Sequence, residues 1–356
     1  MLILGIETSC DETAAAVVWD GWKILSNIVS SSASLHEKYG GIIPEKAARE
    51  QVRCIIPVID EALKKEGPFN IDAVAVTVGP GLIGSLLVGV EAAKTISLVW
   101  RKPLIPVNHV LAHLYANFLN TDKPPDFPAL GLVVSGGHTE LYLLNNHQEI
   151  NWLGGTLDDA AGEAFDKTAR LLKLGFPGGP AIAAEAAKVK RSLPAGRQEN
   201  IKGKIRLPRP MIGNSNLNFS FSGLKTAVLR EVQKAEKEGM MAKRKTELAF
   251  EIEEAITDVL VKKTLDAAER HQVKSIIIGG GVAANKRLTE KFKFKIRNSK
   301  PARPAGGFKI FLHIPPPSLC TDNAAYIASY AFFRGKPVDW REVEAQPGLD
   351  AETTAI

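Results

Sequence analysis

The chain has 356 residues, 45% of them apolar and 24% charged, with a net charge of +6. That length exceeds a single small core and predicts about two domains, while the composition is that of an ordinary globular protein with no run approaching the roughly 18 uninterrupted apolar residues of a membrane span. Cys10, Cys54 and Cys320 are too scattered for a disulfide framework, and the amino terminus lacks a basic leader segment, so a reducing, cytoplasmic setting is expected.

Residues 2–6 and 14–18 are apolar runs joined by the polar turn ETSCDET, which predicts a β-hairpin. Its tip carries Asp11 and Glu12, carboxylates that either hold a cation or accept a proton, or simply satisfy turn amides. A helix is predicted from Pro44 to about Lys65, because proline suits a first helical turn. Residues 73–78 read as a buried strand ending in Gly79-Pro80-Gly81, and residues 82–100 as a helix whose apolar positions near Val88 and Ile96 face either the core or a partner. Pro103 and Pro106 then punctuate the chain.

The run NHVLAHLYANF follows, with His109 and His113 four residues apart. On a helix that spacing stacks both imidazoles on one face, where they can share a metal ion. A distant carboxylate, Asp322 in CTDNAAYIA, would complete a facial set with open coordination positions. The plainer reading is a pair of polar residues at a helix edge. The zincin helix of metallopeptidases carries a glutamate directly after its first histidine; here that residue is Val110, which argues against peptide hydrolysis.

Strands are predicted at 130–134 and 141–144 around the turn SGGHTE, helices at about 157–174 and 246–270, and a strand at 275–278 that runs into GGGVAANKRL and a helix. A final helix spans about 322–333. In TLDDAAGEAFDKTARLL, Asp158, Asp159 and Glu163 read as helix-surface partners of Lys167 or Arg170, whereas Asp166 is the better candidate to face a ligand. His138 is ambiguous between anion contact and a turn hydrogen bond. A strand hairpin with a polar or glycine tip occurs in each half, which predicts two related α/β lobes around a cleft. The turns at Gly79–Gly81, Ser135–Thr139 and Gly279–Gly281 are candidate phosphate cradles, although none is a P-loop or a GxGxxG fingerprint. Residues 186–210 hold eight Lys or Arg against the single acid Glu199, and residues 291–309 hold seven and no acid. Such segments suit a polyanion such as RNA, or are solvated loops; 192–210 reads as an insertion.

Taken together, GIETSCDETAAAVV, GGIIPEKAAREQ, VGPGLIGSLLVGVEAAK, NHVLAH, VVSGGHTEL, DDAAGEAFDKTARLL, FPGGP, NFSFSGLKTAV, IGGGVAANKRL and CTDNAAYIA resemble, in order and over most of the chain, the bacterial type of tRNA N6-adenosine threonylcarbamoyltransferase, once described as an O-sialoglycoprotein endopeptidase. The resemblance implies a two-lobed, actin-like and sugar-kinase-like ATPase fold with a nucleotide cleft. Residues 1–107, joined by a C-terminal helix at 322–340, would form one lobe and 108–321 the other, with a basic insertion near 188–206. It implies transfer of a threonylcarbamoyl group from threonylcarbamoyl-AMP to N6 of the adenosine 3′ of the anticodon (position 37) in ANN-decoding tRNAs, with release of AMP. The family pattern places one divalent metal, iron(II) or zinc, on His109, His113 and Asp322. It places substrate contacts on Val133, Val134, Ser135, Gly136, Gly137, Asp166, Gly179 and Asn285. Many members carry an aspartate four residues after that last glycine; here it is Ala183. Archaeal relatives have a tyrosine ligand where this chain has Val133. Implied partners are a smaller homologous actin-like subunit and a P-loop ATPase, with no membrane. Competing readings are a metal-dependent peptidase and a non-catalytic nucleotide-binding assembly subunit.

Overall fold

The computed structural model describes residues 1–37, 39–191, 205–298, 310–350 and 352–353. The first sheet is built from β1 (Leu2–Glu7), β2 (Glu12–Trp19), β3 (Lys23–Ser31), β4 (Ala73–Gly79) and β5 (Leu104–Asn108), in the order β3-β2-β1-β4-β5. The second contains β6 (Ala129–Val134), β7 (Thr139–Leu144), β8 (Ile150–Gly155), β9 (Ser275–Gly279) and β10 (Phe311–His313), in the order β10-β9-β6-β7-β8. In each sheet the first strand pairs antiparallel with the second and parallel with the fourth. The two halves are thus one topology used twice, the two-lobed actin-like fold.

Helices α1 (Ala33–Glu37), α2 (Pro44–Leu63) and α3 (Ile83–Trp100) accompany the first sheet, and α4 (His109–Tyr115) leads out of it. Helices α5 (Ala161–Leu171), α6 (Gly178–Arg191), α7 (Ser222–Lys237), α8 (Met241–Arg270) and α9 (Lys286–Asn298) belong to the second half, followed by the short α10 (Pro317–Cys320) and by α11 (Ala325–Arg334). The apolar clusters fix the layering. Leu4, Ile6, Val74 and Val76 of the first sheet pack under α2 and α3, whereas Ile3, Ala73 and Ala75 pack on the opposite face with α4 and α11. That same middle cluster takes in Val133, Tyr142 and Ile277 of the second sheet, so α4 and α11 are sandwiched between the sheets. The outer face of the second sheet is covered by α5 to α9. Period-2 alternation in the strands therefore sends alternate side chains to different cores.

Several elements depart from expectation. β3 follows β2 through Asp20, Gly21 and Trp22; Asp20 and Gly21 are both at positive φ and the Trp22 amide donates to the Trp19 carbonyl, a tight turn that fits the twist of antiparallel strands. Pro106 lies inside β5 rather than in a break; β5 pairs with β4 on one side and only an isolated bridge from Leu104 to Val338 on the other, and such an edge tolerates the missing N–H. α5 begins at Ala161 because Asp158 is drawn out to α7: its carboxylate accepts from the Phe221 and Ser222 amides and the Ser220 and Ser222 hydroxyls, capping that helix. α11 starts three residues after Asp322, which sits in the preceding turn. The insertion and the second basic segment lie largely outside the described residues.

α3 is long and apolar enough by composition to cross a membrane. In the structure Leu86, Gly89, Val90 and Ala93 face the first sheet, and Gly84 brings α3 close to Ala48 of α2. Val88 and Ile96 are packed against the core beneath, while Ile83, Leu87, Leu98 and Val99 of α3, with Val52 and Ile56 of α2, stay exposed.

Candidate metal centre and cleft

The helix α4 is set by Asn108, the last residue of β5, whose side-chain oxygen accepts the Leu111 amide as an N-cap. One turn then places His109 and His113 side by side, ring centroids 4.7 Å apart. The turn before α11 brings Asp322 to them: its Oδ1 lies 3.8 Å from His109 Nε2 and 3.5 Å from His113 Nε2. Among the described residues these three are the one His/Cys/Asp/Glu group arranged to hold a metal ion. Tyr326 on α11 leans its ring against His113 and donates its hydroxyl to Asp322 Oδ1 at 3.4 Å.

Behind His109 stands Glu7, at the end of β1 and wholly buried. Its Oε2 is 2.9 Å from His109 Nδ1 and accepts the Thr77 hydroxyl at 2.6 Å, while Oε1 accepts the Ser9 amide at 2.5 Å. The carboxylate fixes the ring so that Nε2 points at Asp322, the arrangement that orients metal-binding histidines generally. Burial pushes the Glu7 carboxyl up, but the neighbouring imidazole and these hydrogen bonds hold it below its ordinary value. Burial likewise lowers His109, yet Glu7 and Asp322 together raise it to about 9. His113, buried and beside His109, is pushed well down. Burial lifts Asp322 to about 6, opposed by His109 and helped by Glu7 and Asp11.

The ETSCDET turn is held against this centre from several sides. Gln51 of α2 donates to the carbonyls of Thr8, Cys10 and Glu12, and Ser85 of α3 donates to that of Cys10. Glu12 is driven to about 10 by burial and by the Asp322 and Asp11 carboxylates. The chemistry of this donor set suits a divalent cation. Both ring nitrogens of His113 are buried with no hydrogen-bond partner among the described residues, and the Asp322 and Glu12 carboxyls near them are pushed up by burial. Glu7, Gln51 and Tyr326 escape a reading of the sequence; for Glu7 the only signal was its place in the same acidic run as Asp11 and Glu12.

The second lobe closes onto the other end of α4. A side chain at Gly279 would strike the His113 carbonyl, and one at Gly280, at φ +93°, the Val134 carbonyl. Ser135 accepts the Gly162 amide, joining the SGGHT turn to the start of α5. Within that turn Ser135 donates to the His138 carbonyl and the His138 amide donates to Ser135 Oγ, so the backbone of His138 closes the turn. Gly136 and Gly137 have open space before them. Val133 and Val134 send their side chains into the cores, so their route to a ligand is the main chain.

Asp166 on α5 accepts the Gly178 amide at 2.6 Å, fixing the turn into α6; burial raises its carboxyl. Gly179 beside it is open. Asn285 accepts the Leu288 amide, capping α9, and donates to Glu253 at 3.0 Å. Lys167 is shared by Asp159 and Glu163, as a helix-surface reading of those acids expects. The Gly79–Gly81 turn is no open cradle: the Gln346 amide donates to Val78, Gly81 donates to Pro347, and side chains at Gly79 or Gly81 would meet Gln346 or Ser9.

A family profile described as tRNA N6-adenosine threonylcarbamoyltransferase matches residues 23–329. The tRNA N6-adenosine threonylcarbamoyltransferase of Persephonella marina is 50% identical over 94% of this chain and 91% of its own length. The chain belongs to this family. A second family relative, from Thermomicrobium roseum, is 46% identical over 98% of this chain and 95% of its own. The fold is also that of the Acidaminococcus fermentans (R)-2-hydroxyglutaryl-CoA dehydratase component A, at a TM-score of 0.50 and 15% identity over 93% of this chain and 98% of that one.

Proposed function

We propose that the chain transfers a threonylcarbamoyl group from threonylcarbamoyl-AMP to N6 of the adenosine 3′ of the anticodon in ANN-decoding tRNAs, and that His109, His113 and Asp322 hold one divalent iron or zinc ion for that step. The observation that carries the metal assignment is His113, with both ring nitrogens buried and unpartnered and Nε2 at 3.5 Å from Asp322. When bound, such a cation orients the donor and offsets negative charge. The residues of the chain supply the rest. An exocyclic adenine amine is a weak nucleophile, so positioning and fixed dipoles must provide much of the acceleration. Gly136 and Gly137 have open space before them, where the main chain can approach donor oxygens without a side chain intervening. Asp166 within α5, Gly179 in the first turn of α6 and Asn285 just before α9 would meet the donor, Asp166 at a ribose or threonyl hydroxyl. Glu12, pushed up by burial and by the Asp322 and Asp11 carboxylates, and Asp11 beside it are the two groups at the hairpin tip that can take the amine proton.

The two lobes act as units, 1–107 with the C-terminal helix and 108–321, and the reaction takes place in the cytoplasm. The exposed apolar face of α2 and α3, with Val52, Ile56, Leu87 and Val99, suits a partner helix pair, such as a smaller homologous subunit; a P-loop ATPase completes the assembly. Nothing in the site favours the peptidase or the non-catalytic reading. The test is transfer to unmodified tRNA with nucleoside mass spectrometry and metal analysis. His109→Ala and Asp322→Ala each lose bound metal and N6-threonylcarbamoyladenosine together while keeping the wild-type circular dichroism spectrum; full transfer in both variants would sink the assignment.

A further inference from the structure

The basic residues of α9 fall into two classes. Arg287 and Lys291 are tied to α8: Arg287 to Glu254 at 2.5 Å, and Lys291 to Glu254 at 3.1 Å and Asp258 at 2.5 Å. Leu288 and Phe292 are buried beneath them, which fixes which face of the helix turns outward. Away from that buried face Lys293 and Arg297, one turn apart, are exposed on one flank of the helix and Lys295 on the other, and among the described residues none of the three has a carboxylate partner. Between them stands Phe294, 59% exposed.

Unpaired cations in the last turn of a helix answer its dipole and need no ligand. A large aromatic left in water between three of them does not follow from that. Cations to meet phosphates, interleaved with a flat ring on which an unpaired base can stack, are what single-stranded and loop RNA requires. The placement agrees. α9 starts just after the Gly279–Gly281 turn at the cleft and carries Phe294 about 12 Å further along its axis, at 1.5 Å per residue.

We propose that this outer face of α9, formed by Lys293, Phe294, Lys295 and Arg297, is an RNA-docking surface that holds the substrate tRNA outside the cleft, the cations on its backbone and Phe294 against an unpaired base. The proposal rests on the transferase reading above. The charge complementarity favours RNA, and an acidic protein segment is the competing occupant.

The test uses the full chain and an unmodified ANN-decoding tRNA, with binding measured over a salt series and transfer measured with the partners present. K293Q/K295Q/R297Q flattens the slope of log affinity against log salt by about 2, since each lost phosphate contact removes about 0.7 to 0.9. Phe294→Ala weakens binding about 5- to 150-fold with little change in slope, and Phe294→Trp restores it. In transfer assays both lesions raise KM for tRNA and leave kcat and KM for the donor unchanged. Wild-type affinity and slope in the variants, with normal transfer by the parent chain, would overturn the docking surface and leave the transferase reading standing. Loss of transfer only when partner proteins are present, with tRNA binding intact, would assign the face to a protein and also overturn it. Failure of the parent chain to bind or modify tRNA with competent partners would remove both readings.

Discussion

Replacing Glu7 by glutamine keeps the volume and an acceptor for His109 Nδ1–H but removes the charge 2.9 Å away. Two opposing effects follow. The carboxylate makes His109 a better ligand, and losing such an outer partner commonly costs about 10- to 100-fold in metal affinity. It also raises the imidazole from 6.5 to about 9, so below that pH a metal must displace a proton. Metal affinity of the parent chain should therefore rise about tenfold per pH unit between about 7 and 9 and level off above. With Glu7→Gln the imidazole returns toward its ordinary range, and the rise ends nearer neutrality. The variant is then weaker by about 10- to 100-fold at pH 9, with the deficit shrinking toward pH 7 as the proton penalty of the parent grows. Competition with a chromogenic zinc chelator at pH 6, 7, 8 and 9 reads both quantities. Equal affinities and parallel pH profiles for the two proteins would refute the reasoning.

Glu140 on β7 is buried, accepts the Trp152 indole N–H at 2.8 Å, and is raised by burial from 4.5 to about 7. A raised carboxyl means that the folded chain keeps a proton the unfolded chain releases, so stability should fall by about 3 kcal/mol as pH rises from about 4.5 to 7; denaturant midpoints for Glu140→Gln should lack that decline. Asp158→Ala removes the cap of α7 and should lower unfolding free energy by about 1 to 2 kcal/mol in urea titrations, whereas Asp158→Asn should recover part of it. Charges placed on the exposed apolar face, as in V52E/I56E, should leave the melting temperature and metal content unchanged and abolish co-elution with the smaller subunit on size-exclusion chromatography.

Much of the site was written in local pattern. The four-residue spacing of His109 and His113 needs only a helix to become a pair, and Gly136 and Gly137 after β6 need only a strand end to become an open turn. What local pattern could not do was rank similar residues. Glu7, Asp11 and Glu12 stand in one short acidic run, and attention falls naturally on the two at the hairpin tip. Only the parallel pairing of β1 with β4, which brings Thr77 alongside, and the course of α4 past the end of β1 single out Glu7 as the partner of His109. Asp166 and Asn285 illustrate the same gap: each holds a backbone amide of a following turn or helix, a task invisible until α6 and α9 are in place.

The sequence by itself determined the repeated strand-and-helix order, the histidine pair and the family, because periodicity, turn chemistry and motif order are properties of neighbouring residues. Tertiary structure decided which strands lie at an edge, so that Pro106 could sit within β5, and which glycine turns remain open, since residues 346–347 cover the one at Gly79–Gly81. It decided which acid serves a neighbouring ring and which cations are spent on α8. Those outcomes depend on contacts between segments far apart in the chain, where burial and the company of other charges, rather than residue type, set what a side chain can do.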